Sequence, residues 1–259
     1  MEFRPCIDIH NGAVKQIVGG TLSDAGDRAR ENFVSEQDAA FYARLYREKG
    51  IRGGHVILLN AKDSPHYEAT KREALSALAA WPGGLQAGGG ITPENAGEFL
   101  DAGASHVIVT SYVFCGGQLD RERLDEMVRA VGRERLVLDL SCRRDAAGGA
   151  YYVVTDRWQT FTETEVTPET LADLAGSCAE FLVHAADVEG KQAGIETDLV
   201  RILAQLDGIP VTYAGGVGSF SDLERLREAG RGRVHVTIGS ALDLFGGPMP
   251  LDRVLQCCK

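Results

Sequence analysis

Short, almost wholly apolar runs recur along the chain, and between them apolar residues return every three or four positions. The runs cover residues 4–9, 55–59, 84–87, 106–110, 136–140, 181–184, 210–213 and 234–238. Continuously apolar runs, as opposed to alternating ones, predict parallel strands covered on both faces. The wider spacing predicts helices, for example over 38–49, 94–102, 120–131 and 221–229. Eight strand–helix units in about 250 residues match a (β/α)8 TIM barrel, an α/β fold. No Pro/Ser-rich linker interrupts the chain, so residues 1–259 are expected to form one barrel domain with halves at 1–131 and 132–259.

Both halves carry the same markers. Asp8 and Asp139 end the first and fifth runs, and His55 and His184 lie in the second and sixth. Gly88-Gly89 and Gly215-Gly216 follow the third and seventh, and Thr110-Ser111 and Gly239-Ser240 close the fourth and eighth. Equivalent residues stand 127–131 positions apart. An offset this steady predicts two fused half-barrels related by a pseudo-twofold axis.

In such a barrel the chemistry sits at the C-terminal ends of the strands. Gly88-Gly89-Gly90 with Thr110-Ser111, and Gly215-Gly216 with Gly239-Ser240, offer amides and hydroxyls on adjacent strand ends, the usual barrel phosphate site. A lone Gly-Gly reads as a tight turn. Two such clusters at symmetric positions, each beside a small hydroxyl, predict two phosphates held across the barrel. Asp8 and Asp139 each end an apolar run, where an unpaired carboxylate is costly. One of them alone reads equally as a loop cap; the symmetric pair predicts a general acid–base couple whose pKa values are driven apart. His184 ends the sixth run on the same face and joins them as a catalytic candidate, whereas His106 and His235 begin strands on the opposite face. The expected reaction is proton transfer on a small-molecule bisphosphate.

Composition narrows the partners. Twenty-seven Lys and Arg against 37 Asp and Glu leave a net charge of −10, which argues against nucleic acid and anionic membranes. No apolar run is long enough to span a bilayer. Met1 to Arg4 leads straight into the first strand, so no leader is expected. The six cysteines form no C-x-x-C pair, so reduced thiols and a cytoplasmic location are expected. No metal-ligand spacing, dinucleotide fingerprint or P-loop is visible, so neither metal nor cofactor is expected; a monomer is the expected state.

The segments Cys6-Ile7-Asp8-Ile9-His10-Asn11-Gly12, Gln86-Ala87-Gly88-Gly89-Gly90-Ile91, Val137-Leu138-Asp139-Leu140, Tyr213-Ala214-Gly215-Gly216 and Ile238-Gly239-Ser240 resemble the histidine-biosynthesis barrels. The likeness is greatest to the ProFAR isomerase family (phosphoribosylformimino-5-aminoimidazole carboxamide ribotide isomerases). It implies an Amadori rearrangement, aminoaldose to aminoketose, on a substrate phosphorylated at both ends. It also implies Asp8 as base and Asp139 as acid, adds Gly20 and Glu189 to the binding set, and makes Trp158 a mobile cover over the substrate. A tryptophan packed on a hairpin of residues 151–155 is the other reading of Trp158.

The family's common bacterial pattern has a threonine at His184, aspartates at Leu58 and Asn60, and an arginine at Thr92. Asp139-Leu140-Ser141-Cys142-Arg143 and His184-Ala185-Ala186-Asp187-Val188-Glu189-Gly190 resemble the eukaryotic-type branch instead. Two alternatives stand beside this expectation. The related cyclase, which makes imidazole glycerol phosphate, needs a lysine where this chain has Gln16, with Lys15 one residue off. A non-catalytic barrel would bind phosphorylated metabolites without turnover.

Overall fold

The computed structural model describes residues 1–18, 21, 29–156, 158–191 and 193–258, and in it all eight expected strands form. They are β1 (Cys6–His10), β2 (Gly54–Leu58), β3 (Leu85–Gly88), β4 (Val107–Val109), β5 (Leu136–Asp139), β6 (Glu180–His184), β7 (Val211–Ala214) and β8 (His235–Thr237). Each pairs in parallel with the next, in chain order. The segment ahead of β1 lies against β8. There Phe3 bridges Val236, the Arg4 amide donates to the Val236 carbonyl at 2.8 Å, and the Val236 amide donates to the Glu2 carbonyl at 2.9 Å. These bonds close the ring.

Helices α1 (Ala39–Glu48), α2 (Tyr67–Ala80), α3 (Pro93–Asp101), α4 (Arg121–Val131), α5 (Pro168–Leu174), α6 (Thr197–Leu203), α7 (Phe220–Ala229) and α8 (Leu251–Cys257) intervene between the strands or follow them. Several start where a side chain satisfies free amides. Asp38, Asp120, Thr167 and Ser219 accept from the amides of Phe41, Arg123, Thr170 and Asp222. The loops add antiparallel strands that the apolar runs did not announce. Ala13–Ile17 and Glu31–Val34 extend the sheet from β1, and Cys142–Arg144, Tyr151–Thr155 and Thr160–Glu165 form a sheet after β5. Thr160–Glu165 and Glu31–Val34 are mostly exposed and polar, so nothing continuous and apolar marks them.

Alternation along the strands sorts side chains between two compartments. Ile7, Ile9, Val56, Leu138 and Val183 pack outward into the large core beneath the helices. Ile57, Ile108, Val137, Leu182 and Ala214, one from each of five strands, form a separate apolar cluster inside the barrel. Below it, at the strand starts, Arg4, Gln86, Glu180 and Thr212 make a buried polar network. Above it, at the strand ends, Asp8, Asp139 and His184 point the same way. The interior is thus layered, as small barrels require.

Candidate active site

At the C-terminal ends of β6, β7 and β8 a cavity opens, and it reaches into the barrel as far as Cys6 and Asp8 on β1 and His55 on β2. Cys6, Asp8, His55, His184 and Glu189 line it, together with residues 214–217 and 237–240. Register explains the grouping. Cys6 pairs with His55 and Asp8 with Ile57 across β1 and β2, while His184 pairs with Ala214 and so stands beside Gly215-Gly216. Gln16, on the strand Ala13–Ile17, reaches back over β1. Its Nε2 lies 3.5 Å from Asp8 Oδ2 and 3.7 Å from Cys6 Sγ.

Burial, reinforced by the negative charge of Glu189, raises the Asp8 carboxyl from 3.8 to about 7. His184 responds in the opposite sense. Burial alone would lower it, but Asp139, hydrogen bonded to Nδ1 at 3.2 Å, and the charges of Glu189 and Asp8 raise it to about 9. His55, its ring 5.9 Å from that of His184, is lowered by burial and by that neighbouring cation to about 3 and stays neutral. Glu189 Oε2 is buried without a hydrogen-bond partner among the described residues, and burial raises its pKa. The site therefore holds, on the wall of one cavity, a carboxyl poised near neutrality and an imidazolium.

Asp139 reaches the cavity through His184 and is not itself on its wall. Its Oδ1 accepts from Ser141 Oγ at 2.9 Å as well as facing the imidazole. Trp158 has left-handed backbone (φ 68°), and its ring lies 6.0 Å from His184 at 37°. That contact sets the ring beside the cavity-lining imidazole. The two glycine clusters are conformationally alike: φ is 101° and 69° at Gly89 and Gly90, 119° and 76° at Gly215 and Gly216. Only the second cluster, with Gly239 and Ser240, lines the cavity. Gly88 pairs with Ile108, which sets Gly89-Gly90 beside Thr110-Ser111 on the adjacent strand ends. Gly20 lies outside the described residues.

Four residues outside the expected site set are brought to it by the fold: Ser141, Gln16, Cys6 and His55. Ser141 anchors Asp139, Gln16 bridges Cys6 and Asp8, and Cys6, Asp8 and His55 bring a sulfur, an oxygen and a nitrogen within 4.8 Å of one another. The absence of C-x-x-C spacing concealed that trio, because its members come from neighbouring strands. The i, i+2 spacing of Cys6 and Asp8 was its only local signal.

Comparison with known proteins adds an independent observation. The family described as histidine biosynthesis protein matches residues 2–247. A chloroplastic protein of Medicago truncatula named 1-(5-phosphoribosyl)-5-((5-phosphoribosylamino)methylideneamino)imidazole-4-carboxamide isomerase is 54% identical, over 98% of this chain and 81% of that protein. Proteins of the same name from Neurospora crassa and Saccharomyces cerevisiae are 49% and 42% identical, over 95% and 100% of this chain and 93% and 97% of theirs.

Proposed function

The chain belongs to the histidine biosynthesis protein family, and from that premise we infer the reaction at its barrel mouth. The protein is an isomerase that converts ProFAR to PRFAR, an aminoaldose to an aminoketose. The change moves no atoms other than protons. A proton must reach the ring oxygen as its bond to C1 breaks, and one must leave C2; the enaminol so formed then gains a proton at C1 and loses one from its C2 hydroxyl to become the aminoketose. Asp8, titrating near 7, takes the C2 proton. On the other side Asp139 holds the His184 imidazolium by Nδ1, which leaves Nε2 for the substrate, and the two together supply the ring-opening proton. Glu189 keeps Asp8 basic and His184 charged. The observation that carries this reading is the shared cavity, where Asp8 and the Asp139-held His184 stand beside the Gly215–Ser240 loops.

Those loops hold one phosphate of the substrate, and Gly88-Gly89-Gly90 with Thr110-Ser111 hold the other. Trp158 covers the reacting centre. The cyclase alternative is disfavoured by one contact: Lys15 points away to Glu31 at 2.5 Å, while Gln16 occupies the position over Asp8. Among the described residues no helix is long and apolar enough to cross a membrane. The cytoplasm is the compartment that best suits six free cysteines, and the protein works there as a monomer on a free small-molecule substrate. A turnover assay with the bis-phosphorylated aminoaldose tests the reading. Formation of the aminoketose is expected, and tight bisphosphate binding without turnover would overturn it.

A further inference from the structure

The trio of Cys6, Asp8 and His55 has a donor set that proton transfer does not require. Cys6 and Asp8 are two apart on β1 and both point into the barrel, and Cys6 is in register with His55 on β2. The Cys6 sulfur, an Asp8 carboxylate oxygen and a His55 ring nitrogen lie within 4.8 Å of one another, and all three residues line the cavity. Gln16 Nε2 sits between the sulfur and the carboxylate, 3.7 and 3.5 Å away.

We propose that Cys6, Asp8 and His55 form a reversible zinc(II) site at the floor of the cavity, through which zinc inhibits the isomerase. Thiolate, imidazole and carboxylate are zinc's three protein donor types, bound at about 2.0–2.3 Å. Bonds of that length put ligand atoms roughly 3–4 Å apart, so small rotamer changes close the trio onto an ion. The soft sulfur selects zinc over magnesium or calcium. On binding, the thiol releases its proton to solvent, and thiolate plus carboxylate balance the ion's charge. The Gln16 amide turns aside, and the fourth position faces the cavity and takes water. A coordinated Asp8 cannot accept a proton, so the ion acts as an inhibitor and not as a cofactor. The proposal rests on Asp8 as the base of the isomerase.

Titration with zinc chloride, followed by calorimetry and by turnover, tests it, with cobalt(II) as the spectroscopic probe. One zinc per chain is expected, competitive with the bisphosphate product, and a chelator restores rate. Cobalt should give a thiolate charge-transfer band that Cys6→Ser abolishes. Cys6→Ser and His55→Gln should each raise the half-inhibitory zinc concentration at least about tenfold, with circular dichroism confirming the fold. Cys115→Ser, which alters an exposed thiol, should leave it unchanged. A wild type without the cobalt band, a Cys6→Ser protein inhibited like its parent, or loss of inhibition in Cys115→Ser each overturns the site. A cobalt band without isomerase turnover would instead overturn the catalytic reading and leave the metal site standing.

Discussion

Asp8 titrates near 7 and His184 near 9, and the two act in opposite forms. The base must have lost its proton and the acid must keep one. The rate is therefore expected to rise with pH through about 7 and fall through about 9, a bell read from kcat/KM against pH. His184→Asn should erase the alkaline limb and move the acid limb to higher pH, because the imidazolium charge it removes holds the Asp8 carboxyl down. The same shifts have consequences for stability. Folded Asp8 titrates at about 7 against an ordinary 3.8, so the native chain binds more protons than the unfolded one between those values. Stability is lost as pH rises through that window. Asp8→Asn removes the loss. The variant is expected to turn over about 10² to 10⁴ times more slowly and still to melt higher than its parent above pH 7, with the gain shrinking toward pH 4. An unchanged melting temperature above pH 7 would mean that Asp8 is not held against its preference. His184 runs in the same direction at higher pH: raised from 6.5 to about 9, it stabilises fully below 6.5, and that contribution disappears as pH climbs through 9.

Elements differ in how openly the sequence declares them. The eight barrel strands were legible because both faces of each are covered, which writes a continuous apolar run into the chain. The glycine clusters were legible because the repeat doubles them. Of the strands in the loops after β1 and β5, only Tyr151–Thr155 was legible, as a hairpin; the others were not, since their runs are short and several face water. Side-chain partnerships were less legible still. Asp139 with His184 and Cys6 with His55 depend on register between strands 45–49 residues apart, which no local pattern encodes. The structure also changes what the glycines can test. A Cβ at Gly89 would collide with the Leu58 carbonyl oxygen and one at Gly216 with that of Gly194, so a valine there strains the backbone before it meets a phosphate. The hydroxyls are the better probes. Ser240→Ala and Ser111→Ala should each weaken the bisphosphate product in calorimetry by roughly 0.5–1.5 kcal/mol, the net worth of a hydrogen bond. Each should do so with inorganic phosphate binding retained at the other cluster. If both variants bind the bisphosphate like the parent, neither hydroxyl holds a phosphate.

Across the whole molecule, the two ends of the barrel divide the labour between chemistry and cohesion. At the end opposite the cavity, Glu180 is 5% exposed and is bound by three side chains from other parts of the barrel. Arg4 ahead of β1 forms an ion pair with it, Gln86 on β3 donates to Oε2 at 2.8 Å, and Thr212 on β7 donates to Oε1 at 2.6 Å. Arg4 also donates from its backbone to Val236, so the network is tied to the seam where the barrel closes. Removing one partner of a buried ion pair leaves the other charged and unpaired, which costs about 3–5 kcal/mol. Glu180→Ala is therefore expected to lower unfolding free energy in urea by that amount. Glu180→Gln should lose less, because its amide oxygen still accepts from one of the donors. The apolar layer of Ile57, Ile108, Val137, Leu182 and Ala214 separates this network from Asp8 and His184. Both limbs of the pH–rate profile should consequently stay where they are in Glu180→Gln at temperatures where it is folded. A shifted limb would mean that the charge of Glu180 reaches the active site through the barrel, and the two ends would then have to be treated as one electrostatic unit.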